Sequence, residues 1–158
     1  MPATDGAESL PAEPGTYVLV MQIDHQRELS VGRLGTLTLQ PGYYLYVGSA
    51  QGPGGLKARV ERHCRTAKKQ HWHIDYLTSA APVIETWAQT GPSQEHAWAA
   101  RLGEHLEIAC DRFGASDCRC ISHLFRSPEK PDLNALRLSR YDTRQVNPCN
   151  MLSRSPSM

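Results

Sequence analysis

Arg59 and His63 stand one helical turn apart, just after a glycine-rich stretch, GSAQGPGG at 48–55. Side chains four residues apart share a helix face, and this face borders an apolar stripe of Leu56, Val60, Cys64 and Ala67. An arginine turned toward a core needs a partner, because an unpaired buried charge is costly. An internal ion pair or a snorkelling stem would meet that need as well as a substrate would. Glu95 poses the complementary problem. It is in helical phase with Trp98, Ala99, Leu102 and Leu106, so its carboxylate is expected to aim inward. A first-turn acid favoured by the helix dipole explains an exposed glutamate better than an inward one. An inward carboxylate calls for a cation, either Arg59 or a metal that takes oxygen ligands.

The segment 57–70 holds six Lys or Arg and one Glu, a local charge of +5 in a chain whose net charge is +1. Lys57, Arg62, Arg65, Lys68 and Lys69 mostly point away from the apolar stripe, and His63, His71 and His73 lie beside them. A solvated helix face would use the same residues, but charge concentrated in an otherwise neutral chain suits phosphate binding. The glycines at 48, 52, 54 and 55 fit neither the P-loop nor the dinucleotide pattern. They are read as a turn that lets a ligand approach the backbone closely. Cys118, Cys120 and His123 form a second constellation, three zinc-type ligands whose fourth would come from Cys110 or His71. Buried thiols beside a loop capped by Ser116 and Asp117 explain the same residues.

These groups need a scaffold. The chain has 158 residues, one domain's worth, with 17 Lys+Arg against 16 Asp+Glu. That balance excludes a polycation or an acidic tail protein. The longest apolar runs, Tyr17–Met21 and Tyr43–Val47, are far short of a membrane span. No export signal is read at the N-terminus, so a cytoplasmic location is expected, with the five cysteines as reduced thiols rather than a disulfide framework. Residues 1–14 read as a flexible lead-in, 15–126 as one domain and 127–158 as a largely disordered tail with a short helix at 134–140. Within the domain, 15–23, 28–39 (bent at Gly32 or Gly35) and 43–47 read as strands of an antiparallel meander. Helices are expected at 56–67, 72–79 and 93–108, the last capped by Ser93, with a strand at 82–90. The order β-β-β-α-α-β-α gives an α+β domain rather than a doubly wound sheet.

Gly15-Thr16-Tyr17 and Tyr46-Val47-Gly48 resemble the two half-motifs of the GIY-YIG nuclease superfamily. Arg59 and His63 match that family's Arg-x-x-x-His, and Glu95 its metal-binding glutamate. The runs GYYLYVGSA, GGLKARVERH, HWHIDYL and SDCRCISHLF resemble a narrower branch, whose members occur alone or appended to endonuclease III-like glycosylases. The resemblance implies a small antiparallel sheet, a three-stranded core plus an inserted hairpin, flanked by helices. It implies a phosphodiester hydrolase acting on DNA in repair or in the processing of branched DNA. Tyr17, Tyr46, Arg59, His63 and Glu95 would be catalytic, with Glu95 holding Mg2+ or Mn2+. Gly48, Lys57, Arg62, Arg65, Lys68, Lys69, His71 and His73 would meet nucleic acid. A further family histidine could be either His71 or His73, and His123 or Asp117 could complete the pocket. DNA is the implied partner, with a repair glycosylase as a candidate second one and no membrane.

Three features depart from the pattern. Thr16 replaces the usual isoleucine, 28 residues separate Tyr17 from Tyr46, and the loop Gly52 to Gly55 lengthens the approach to Arg59. The long spacing is read as an inserted strand or hairpin that could cover one edge of the site. Two other readings of the whole chain compete. One is a nucleic-acid-binding module of the same fold that cleaves weakly; the other is a small zinc-bound interaction domain built on Cys118, Cys120 and His123.

Overall fold

The computed structural model describes residues 12–64, 73–81, 83–110, 113, 122–130 and 144–146. The elements in chain order are β1 (Gly15–Ile23), β2 (Arg27–Val31), β3 (Gly35–Leu39), β4 (Gly42–Ala50), α1 (Gly55–Cys64), α2 (His73–Ala80), β5 (Val83–Thr90), α3 (Glu95–His105), β6 (Glu107–Ile108), β7 (Leu124–Ser127) and β8 (Arg144–Val146). This is an α+β fold built on an antiparallel sheet in the order β6-β7-β4-β1-β5-β8, with β2-β3 as a separate pair. No helix among the described residues is long and apolar enough to cross a membrane.

β1 lies at the centre of the sheet because both its faces are apolar. Leu19, Met21 and Ile23 enter a cluster with Tyr44, Tyr46, Leu56, Val60, Ile74 and Leu77. The alternate residues Val18 and Val20 enter a second cluster with Leu45, Val47, Trp87, Trp98, Ala99 and Leu102. The two-residue side-chain period of a strand therefore puts α1 and α2 on one face and α3 on the other. Tyr17 falls on the α1 face, and Thr16 turns to α3, where its Oγ1 accepts a hydrogen bond from the Gln94 N–H at 2.8 Å.

The expected meander is corrected here. β1 pairs with β4 and β5, not with β2. The segment between β1 and β4 folds back on itself as a hairpin, turning through Gly32–Leu34 with Gly32 and Gly35 both at positive φ. Both candidate bend positions are used, since the turn needs left-handed backbone twice. The hairpin packs on α2: the Arg27 guanidinium donates to the Ala80 carbonyl at 3.1 Å, and Val31 and Leu39 enter the α1-side cluster.

The expected three-stranded core exists as β4-β1-β5, but β6, β7 and β8 widen it. The last long helix stops at His105, and Glu107–Ile108 pair with β7 instead. Its N-cap is Gln94, not Ser93, which instead receives the Glu95 N–H at 3.4 Å. Residues assigned to the two tails also take part in the fold. The Glu13 carbonyl accepts from the Leu56 N–H and the Pro14 carbonyl from the Gly91 N–H, each at 2.9 Å. Ser127 ends β7, and Arg144–Val146 pair with β5. The helix expected at 134–140 lies outside the described residues.

Candidate active site

Tyr17 and Tyr46 are brought to one face by register. Tyr17 pairs with Gly48 and Leu19 with Tyr46, so the two tyrosines sit diagonally across β1 and β4. Gly48 leaves the space that the Tyr17 ring fills: a Cβ there would lie 2.4 Å from Tyr17 Cζ and Oη. This gives the glycine a steric duty, whatever else it meets. Gly48→Ala is expected to cost about 1–3 kcal/mol through overpacking. A calorimetric melt would show the loss, and near-ultraviolet circular dichroism would show Tyr17 displaced.

α1 supplies the next groups. His63 is buried, and its Nε2 lies 2.7 Å from Tyr17 Oη. Its ring also meets the Tyr46 ring edge-on at 6.3 Å. Arg59, one turn earlier, donates from Nη1 to the Ser49 carbonyl at 2.9 Å, which fixes its stem against the end of β4. Burial pushes the Tyr17 hydroxyl well above the ordinary tyrosine range, and the adjacent Arg59 guanidinium offsets only part of that. Burial does the same to Tyr46, reinforced by Tyr17 and Glu95. Both phenols are therefore neutral at physiological pH. Tyr46 on its own is a hydrogen-bonding group rather than a ready base, and His63 is the imidazole beside it.

Glu95 opens α3 and is 23% exposed, so its carboxylate is half-turned inward rather than sealed in. Its Oε2 lies 2.8 Å from Nδ1 of the buried His123. Among the described residues the side chain that partners this carboxylate is therefore His123 rather than Arg59. The His123 Nδ1 edge is taken up with Glu95, while Asp117, Cys118 and Cys120 lie outside the described residues. Among the described residues no three His, Cys, Asp or Glu side chains group to hold a metal. One accessible carboxylate suits Mg2+ or Mn2+, which keep several waters and complete their shells with phosphate oxygens. At this site the described residues offer one such carboxylate, Glu95, and no all-protein cage.

Among the described residues, the basic surface is smaller than its residue types suggest. Arg62, expected among the outward bases, forms a two-pronged ion pair with Asp75 at 2.7 and 3.0 Å. The Asp75 carboxylate holds the Arg62 guanidinium above its already high pKa. Lys57 is exposed, as expected. His73 opens α2, 5.5 Å from the Phe113 ring, and burial lowers its pKa. A neutral His73 adds no positive charge toward a phosphate at pH 7. Arg65, Lys68, Lys69 and His71 lie outside the described residues.

Three contributors were missed in the sequence. Asp75 lies in HWHIDYL, whose one carboxylate beside Ile74 and Leu77 was the available signal. Phe113 meets the Tyr46 ring edge-on at 6.2 Å, and nothing local marks it. The Ser49 carbonyl is a backbone group with no sequence signature. The expectation of reduced thiols is also corrected: Cys64, next to His63, is disulfide-bonded. Pairing depends on how closely the fold brings two backbones together, which composition does not reveal.

A family model described as a domain of unknown function, DUF123, matches residues 16–144, most of the chain. Neither the curated proteins nor the solved structures give a match.

Proposed function

The chain belongs to the DUF123 family, and we propose that it is a divalent-metal-dependent endonuclease that hydrolyses phosphodiester bonds in DNA, with the GIY-YIG type of chemistry. The observation that carries this reading is the 2.7 Å contact between Tyr17 Oη and His63 Nε2, with Arg59 one turn away and Tyr46 alongside. Two hydroxyls, an imidazole and a guanidinium drawn to one point are costly to bury for packing alone. They are the groups a phosphoryl transfer needs.

In this reading a phosphodiester sits between α1 and the N-terminal end of α3. Arg59 faces the non-bridging oxygens, where a guanidinium neutralises charge that grows toward the transition state. Tyr46 orients the attacking water, and the proton passes to His63, directly or through the Tyr17 hydroxyl. Glu95 would hold Mg2+ or Mn2+, which supplies Lewis-acid stabilisation of the departing oxygen when bound. Lys57 adds to the approach surface. A role in repair or in branched-DNA processing, and a glycosylase as second partner, belong to the same proposal.

The test is cleavage of supercoiled plasmid, flaps, bubbles and abasic-site duplexes at low, fixed salt with Mg2+ or Mn2+. Wild type is expected to cut at least one substrate, EDTA to stop it, and Glu95→Ala to lower the rate about 1,000-fold while DNA binding persists. Binding without cleavage by the wild type would replace the nuclease with the weakly cleaving binding module of the same fold.

A further inference from the structure

His123 is not among the residues that the GIY-YIG resemblance makes catalytic, yet it is firmly mounted beside Glu95. Its backbone is pinned on both sides. The His123 N–H donates to the Phe113 carbonyl at 2.8 Å, and the His123 carbonyl accepts from the Val47 N–H at 3.0 Å. Val47 directly follows Tyr46. The imidazole is buried, with the exposed His96 ring set edge-on to it at 6.1 Å.

Glu95 is tied to the sheet from the other side. The N–H of Gln94, the residue before it, donates to Thr16 Oγ1, and Thr16 directly precedes Tyr17. The two strands that carry the tyrosines therefore each hold one member of the Glu95–His123 pair. A carboxylate on the first turn of a helix has several rotamers open to it. A buried ring 2.8 Å from Oε2 selects among them and leaves Oε1 as the oxygen with more freedom to meet a cation.

We propose that His123 is a positioning residue for Glu95: its Nδ1–H holds Oε2 and presets the carboxylate for a divalent cation. The inference rests on the endonuclease reading in that the cation is the one proposed there. The contact has ion-pair distance without the in-plane alignment of a strong hydrogen bond. Such contacts tighten when the site is filled. Outer partners of this kind change metal affinity by ~10–100-fold when removed.

The probe is Mn2+ alone, followed through the loss of its free-ion electron paramagnetic resonance signal on titration with the full chain. His123→Ala is expected to weaken Mn2+ binding about 10-fold or more. His123→Asn, whose amide N–H can stand near the place of Nδ1–H, should recover most of that loss. An alanine variant that folds and binds Mn2+ as the wild type does would overturn the inference and leave the endonuclease reading intact. A wild type that takes up no Mn2+ would overturn both. Should the alanine variant fail to fold, imidazole nitrogen NMR of the wild type decides. A His123 Nδ1 signal that moves on Mg2+ addition, but not in Glu95→Ala, supports the inference, and one that stays still overturns it.

Discussion

Arg59→Lys is expected to lower the cleavage rate about 100-fold or more, the scale seen when one preorganised donor to a transition-state oxygen is lost. The charge is kept, so binding of DNA at fixed salt should change little. Geometry is what the substitution removes. The Arg59 guanidinium already donates from Nη1 to the Ser49 carbonyl and lies against Tyr17. A planar group with five N–H donors can keep that anchor and still face a phosphate; an ammonium on a flexible stem cannot be held in both places. Tyr17 responds as well, because the guanidinium is the main influence opposing the rise of its pKa. Single-turnover rates and binding constants measured on one substrate separate these effects. A variant that cuts at the wild-type rate would reduce Arg59 to a point charge and remove the central element of the mechanism.

The residues legible in the sequence share one property: their signal is local. Arg59 and His63 show themselves by a four-residue spacing, and Glu95 by its phase with Trp98 and Leu102. The two half-motifs show themselves as glycine and tyrosine on apolar strands. What could not be read needs distant segments. Asp75 becomes a partner of Arg62 only once α2 is laid beside α1, 13 residues on. His123 reaches Glu95 because β7 joins the edge of β4. The same limit explains the meander error. Short strands in series predict neighbours, but β1, apolar on both faces, takes the centre of the sheet, and the amphipathic hairpin is left outside it. The cysteines were misread for a related reason, since the disulfide at Cys64 is decided by folded geometry.

Arg62→Met is expected to destabilise the fold by about 3–5 kcal/mol, the usual cost of breaking a buried ion pair from one side. That is a large part of the ~5–15 kcal/mol that holds a domain together. The choice of which partner to remove matters. The Asp75 side chain is fully buried at 0% exposure, whereas Arg62 keeps 23%. Without Arg62 the buried carboxylate loses the two N–H donors at 2.7 and 3.0 Å. Without Asp75 the long arginine stem can swing its head outward, so Asp75→Ala should cost less than Arg62→Met. The consequence reaches the site because the pair ties α2 to α1, and α1 carries Arg59 and His63. Destabilisation should therefore come with weaker catalysis at temperatures where the variant is still folded. Had Arg62 been one of the outward phosphate contacts, its loss would leave the melting temperature alone, weaken DNA binding and reduce the slope of log affinity against log salt by about 1. Thermal unfolding and the salt dependence of DNA affinity, measured on the same variant, give opposite patterns for the two roles. An unchanged melting temperature with a shallower salt slope would return Arg62 to the nucleic-acid surface.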